Sequence, residues 1–321
     1  VLYKIFVIAK NTFIETLRQP IYAVIISFTL FLFVMSPSLT MYSMDENIKL
    51  LRELGLSTLF LAGLFIAIFS AAGAITEEIE SKTITTLLSK PISRFVFILG
   101  KFFGVTAAVV LAHYICSLAL LMTLRHGVLE YAAETHDWTV IVTVLVIVTT
   151  TLLLTAFLNY SYDWPFSATA ITLTAIFASI GMVFLYFIDK QWQFNPQNNT
   201  FTLFDIFGSA LLLMAIIVLV ALAVMFSTRF NVVLTLTFCV GVFLLGLISD
   251  YVFGRFADTY LWAKIGKLLT PNLQVFWITD AIYEGTTIPP AYLLTTGIYA
   301  VLYTAGILLL AIAMFQRRQI G

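Results

Sequence analysis

Charge is what this 321-residue sequence has least of: 17 Lys and Arg and 17 Asp and Glu make up only 11% of the chain. A soluble domain carries roughly 25%. With 61% hydrophobic residues, a water-facing fold has too little polar surface to cover its apolar side chains, so lipid must cover them. Other absences narrow the chemistry. There is no G-x-x-x-x-G-K-[ST] loop, so nucleotide hydrolysis is not expected from this chain. There is no G-x-S-x-G, no H-E-x-x-H and no pair of carboxylates within an apolar run, so an enzyme is not expected either. The two cysteines, Cys116 and Cys239, sit in apolar runs without Cys or His at ligand spacing, which argues against a metal. No linker rich in Gly, Ser or Pro and no short repeat divides the chain, so residues 1–321 read as one transmembrane domain. The first ten residues do not read as a cleavable signal, because Lys4, Lys10, Glu15 and Arg18 are spread along a helix. No nucleic-acid partner is expected.

What is present is a series of apolar runs at 21–41, 57–76, 102–124, 140–159, 167–187, 205–226, 232–250 and 291–315. Each is about the 20 residues needed to cross a bilayer core. The reading is an all-α polytopic membrane protein of about eight spans, with both ends on one side. If that side is the cytoplasm, the inner segments hold Lys4, Lys10, Arg18, Lys82, Lys90, Arg94, Lys101, Arg229, Arg317 and Arg318. The longer outer segments hold Lys49, Arg52, Arg125, Lys190, Arg255, Lys264 and Lys267. This Lys/Arg bias predicts cytoplasmic termini.

Before the first span, Lys4, Asn11, Glu15 and Arg18 form one polar stripe of a 3.6-residue helix, opposite Tyr3, Phe6, Val7, Phe13, Ile14 and Leu17. The pattern predicts an interfacial helix over 1–20 that ends at Pro20, with Lys4, Lys10 and Arg18 as headgroup anchors. Lys101, at the inner start of the third span, is expected to snorkel to the headgroups as a further anchor. Residues 161–165 and 227–231 read as tight turns. Residues 251–290 read as outer re-entrant or interfacial helices: one over 257–269, and a second opened by Thr270 and Pro271 and running to about Tyr283. Phe253, Phe256, Tyr260, Trp262, Phe276, Trp277 and Tyr283 suit an aromatic belt there.

Inside the spans, His113 is the one ionisable residue well away from an end, and it reads as an interhelical hydrogen-bond partner. Thr149, Thr150, Thr151, Thr155, Thr169, Thr172, Thr174 and Ser179 make the fourth and fifth spans rich in hydroxyls. These hydroxyls can bond back to their own helix, bridge helices, or line a polar path. The lack of buried charge argues against a small inorganic ion as cargo and for a lipidic or amphiphilic one.

The longest inner segment, 77–94, is a polar island whose spacing fits a short amphipathic helix stopped at Pro91. Ile84, Leu87, Leu88 and Pro91 share one face, and Glu78, Ser81, Lys82, Thr85 and Ser89 occupy the others. An apolar ridge flanked by charge can fit a groove on a soluble partner; it can equally lie solvated on the headgroups.

The island resembles the inner-loop motif of the ABC-2 type transporter permeases: an acidic residue, Thr, paired leucines, Pro-Ile-Ser-Arg, then Gly-Lys at the start of the next span. The matching positions are Glu78 or Glu80, Thr83, Leu87, Leu88, Pro91, Ile92, Ser93, Arg94, Gly100 and Lys101, with Lys82 where a small residue is usual. The N-terminal helix, the paired outer helices and the basic Gln316-Arg317-Arg318 are also similar to that family. The family core has six spans, so the resemblance implies an extra hairpin, for which 140–187 is the candidate.

The resemblance further implies a permease subunit of an ATP-driven ABC transporter in a bacterial or archaeal cytoplasmic membrane. ATPase contact would fall to Glu78, Glu80, Thr83, Ile84, Leu87, Leu88, Pro91 and Arg94. The chain itself would hold no cofactor, with ATP and Mg on separate ABC ATPase subunits. A second permease copy or paralogue and membrane lipid would be its other partners. The alternative is a non-transporting subunit that passes ATPase-driven motion to a periplasmic partner.

Overall fold

The computed structural model describes residues 1–40, 47–80, 93–129, 135–198, 201–285 and 287–316. Among these the chain is helical, apart from one isolated antiparallel bridge between Ile188 and Phe194. The major helices are α1 (Leu2–Arg18), α2 (Pro20–Thr40), α3 (Asn47–Glu80), α4 (Arg94–His126), α5 (Trp138–Tyr162), α6 (Phe166–Phe187), α7 (Leu203–Ser227) and α8 (Val232–Leu247). The short α9 (Ser249–Val252), α10 (Leu261–Leu269) and α11 (Thr279–Glu284) precede the last helix, α12 (Pro290–Gln316). Seven helices, α2 to α7 and α12, are long and apolar enough to cross a membrane.

The eighth expected span differs. α8 has 16 residues, about 24 Å at 1.5 Å per residue, short of a hydrocarbon core of about 30 Å. The chain then bends by 66° into residues 249–256. Residues from later in the chain pack against its end. Gly246 O accepts from Leu273 N at 3.1 Å, and Phe243 and Trp277 both pack on Phe60 within α3. Residues 270–278 satisfy their backbone on neighbours: Asn272 N donates to Tyr299 Oη at 2.8 Å, and Tyr303 Oη donates to Leu269 O. That is why no helix opens at Thr270 and Pro271 as the sequence predicts. Thr270 instead caps the end of α10 by donating to Gly266 O, and α10 starts at Leu261 rather than 257.

The core is built from α3, α4, α7 and α12, with α2 against α3 and α4. α7 presents an almost unbroken buried run from Leu211 to Val224, the mark of a helix surrounded on all sides. The hairpin α5–α6 lies at the periphery, joined to the rest mainly through α4 and mostly open to lipid. Its end near Val140 and Leu185 has its own apolar cluster, in which Met122 of α4 meets Val140, Ile147 and Leu185. Beside it, the buried Arg125 pairs with the buried Asp137 (Nε to Oδ2, 3.3 Å) and donates to Thr139 Oγ1, Ile188 O and Leu185 O. One guanidinium thus holds the start of α5 and the end of α6 on α4.

The hydroxyls of this hairpin mostly bond back to their own helix. Thr143, Thr150, Thr169, Thr172, Thr174 and Ser179 each donate to a carbonyl four residues earlier. Among them only Ser179 also reaches across, to Tyr114 at 2.8 Å. Such back-bonding satisfies the hydroxyl within its own turn, so a threonine-rich helix can face lipid.

Candidate coupling end of the bundle

The two longest helices, α3 and α4, flank residues 81–92. At about 50 Å each they exceed the hydrocarbon thickness and carry the chain clear of it. Thr83, Ile84, Leu87, Leu88 and Pro91 lie outside the described residues, as does the side chain of Glu80; Glu78 and Arg94 are described. α4 opens with Ser93 as N-cap, its Oγ accepting from Val96 N at 3.3 Å.

Arg94 does not face outward. Its Nη1 donates to Phe315 O at 2.9 Å and to Gln316 O, and its guanidinium lies 5.7 Å from the Phe315 ring centre. Phe97 stacks on the same ring at 5.6 Å. Arg229, from the turn between α7 and α8, donates to Met314 O. The last carbonyls of a helix have no partner within it and carry the negative end of its dipole, so two arginines there satisfy both needs. Thr76, near the end of α3, donates to Ser227 O and Phe230 O at 3.4 Å, so α3, α4, α7, α8 and α12 meet at this end.

α1 packs along the start of α4. The seat is made by Gly100 and Gly104: a β-carbon on Gly104 would lie 2.6 Å from Ala9 O and from Thr12 Cβ, and one on Gly100 2.6 Å from Ile8 Cγ2. Thr12, Thr16 and Leu17 are buried in consequence, while Lys4, Lys10 and Arg18 are exposed. Tyr3 and Phe6 also stay exposed, which suits an interfacial helix with one face on lipid. The sequence reading saw this polar stripe but missed the buried one; the Gly100-x-x-x-Gly104 spacing was its available signal.

Lys101 departs from the expected anchor. Its side chain is 4% exposed, and its Nζ lies 2.7 Å from Glu78 Oε1 and 3.9 Å from Glu15 Oε2. It stays inside because two carboxylates and the Phe97 ring, 5.8 Å away, take the place of headgroups.

Mid-bundle, His113 is buried, with Nε2 at 3.0 Å from both Ser209 O and Ser209 Oγ, and Ser117 Oγ is 2.7 Å from Ser209 Oγ. This joins α4 to α7 as the sequence predicted. At the far end Arg52 holds Asp205 with two nitrogens, one at 3.2 Å. Buried charge therefore exists, contrary to expectation: Lys101, Arg125, Asp137 and Asp205 are all paired and sit toward the helix ends. Pairing at the ends keeps charge out of the bilayer centre, where its cost is highest.

Among the described residues, an all-helical bundle with seven helices long and apolar enough to cross a membrane, and a further bent helix pair, is the fold of a polytopic membrane protein. The sequence pattern of the ABC-2 family transporter proteins matches residues 6–188, more than half of the chain, and the protein belongs to that family. The matched stretch takes in α1 to α6, including the hairpin α5–α6 and both flanks of 81–92. No curated protein matches the chain by sequence. The protein is thus a membrane subunit of an ABC transporter, a class that works with an ABC ATPase.

Proposed function

We propose that this subunit receives work from a separate ATPase, which carries the ATP and Mg, through the inner loop 77–94, and exports a lipidic or amphiphilic substrate. One observation carries the reading: the loop is strung between the two longest core helices, and its exit residue Arg94 is bonded to the end of the last span. A push on the loop therefore reaches α3, α4 and α12 together. The α3 end and the α12 end lie on one side, which the Lys/Arg bias makes the cytoplasm; a bacterial or archaeal membrane is what the family resemblance implies. A second copy or a paralogue completes the pump. Lipidic cargo is favoured because the middle of the bundle, between the paired charges, offers only the hydroxyls and His113 as polar groups among the described residues.

The test uses Leu87→Asp and Thr83→Pro in the complex purified with its native ATPase and reconstituted in nanodiscs. Both variants are expected to insert normally and to lose ATPase coupling. Full coupled activity in both overturns the assignment of the loop.

The non-transporting alternative draws on a different contact. Lys49 donates to Tyr283 O at 3.2 Å and Tyr283 Oη donates to Glu53, so the outer segment grips the start of α3, the helix that ends at the loop side. Motion of α3 would move that cap. A periplasmic protein retained on the cap, in a complex that moves no lipid between leaflets, would favour this alternative.

A further inference from the structure

We propose that Lys101 is a positioning residue that trades one carboxylate for another, Glu78 for Glu15, and so sets whether α1 is tied to both flanks of the inner loop or to α4 alone. The inference rests on the coupling reading above and adds the route by which loop motion leaves α3 and α4.

The ammonium sits where three helices meet, and two of them are the flanks of 81–92. Glu78 is within one turn of the end of α3, and Lys101 is two turns into α4. The third helix, α1, supplies Glu15. A lysine this near a helix end ordinarily stretches to the headgroups, yet this one is turned inward and buried. Its position is therefore decided by the carboxylates.

The two carboxylates are unequal. Glu78 holds Lys101 at 2.7 Å by Oε1 alone, while its Oε2 is buried without a hydrogen-bond partner. Glu15 waits at 3.9 Å and is half-exposed. The grip of α3 on Lys101 is thus a single contact on a half-satisfied carboxylate, with a replacement one step away. Shifting the end of α3 relative to α4 lengthens the first contact and leaves the second, because Gly100 and Gly104 keep α1 seated on α4. An ion pair with two discrete partners gives two arrangements. In the first, α1 is tied to α3 and α4 together; in the second, to α4 alone.

Hydrogen exchange of the amides of residues 2–18 tests this in the native complex with its ATPase, comparing nucleotide-free protein with protein trapped by MgATP and vanadate. Wild type is expected to show exchange in α1 that depends on nucleotide. Lys101→Met is expected to lose that dependence while the ATPase still co-purifies, and Lys101→Arg to retain it. The same nucleotide dependence in Lys101→Met as in wild type, or none in wild type, overturns the proposal. If Lys101→Met is not recovered folded, Glu78→Gln decides by the same comparison: loss supports the exchange of partners and retention overturns it. Absence of any ATPase from the wild-type preparation would instead sink the coupling reading, and this inference with it.

Discussion

Substituting Gly104 by alanine isolates the seat of α1 on α4, because helix propensity and packing pull in opposite directions there. Propensity alone favours alanine by about 0.5–1 kcal/mol. The added carbon, however, meets the backbone oxygen of Ala9 and the β-carbon of Thr12 at 2.6 Å. Neither can rotate away, so α1 must lift by several tenths of an ångström along its whole contact. Overpacking of this kind costs about 1–3 kcal/mol, leaving a net loss on the order of 1–2 kcal/mol. Two controls separate the effects. Gly55→Ala meets only the flexible tip of Leu120, and Gly306→Ala meets nothing within 4 Å. Thermal unfolding in a mild detergent, followed by loss of the monodisperse peak, should therefore rank Gly104→Ala lowest, Gly55→Ala intermediate and Gly306→Ala at or above wild type. Exchange of the α1 amides should rise in Gly104→Ala alone. A Gly104→Ala protein as stable as Gly306→Ala, with α1 equally protected, would refute the seat.

Two further outcomes follow from the paired and bonded groups. Arg125→Met strands the buried Asp137 and leaves Leu185 O and Ile188 O without their donor, for which about 3–5 kcal/mol is expected. Adding Asp137→Asn should recover part of that loss, read as the midpoint of thermal unfolding, and no recovery would mean that the pair does not hold the hairpin. His113→Ala removes the bonds to Ser209 and should cost about 0.6–2 kcal/mol of stability while leaving nucleotide-driven turnover intact. A collapse of turnover in a stable His113→Ala protein would refute a purely structural role for His113.

Much of the architecture was legible along the chain because lipid imposes a one-dimensional rule: a span must be about 20 residues long and nearly free of charge. The apolar runs of α2, α4, α5, α6, α7 and α12 follow it, and so does the polar island that separates α3 from α4. The rule failed where a helix is completed by something distant in sequence. α8 looks like a full span, yet its helix ends early at Ile248, and Leu273, arriving from residues 251–290, donates its N–H to Gly246 O. The pair Thr270 and Pro271 carries a start signal, but the backbone there had partners on α8 and α12.

Composition and hydropathy thus determined by themselves that this chain crosses the membrane repeatedly and that a polar stretch separates two of its longest helices. Tertiary structure decided what each charged residue is for. Lys101 and Arg94 are equally basic to the eye and both read as groups facing outward. One is enclosed by carboxylates from two other helices, and the other closes the end of a helix more than 200 residues away in the chain. A charge takes its role from whatever lies within about 4 Å of it, and that distance is set by the folding of the bundle.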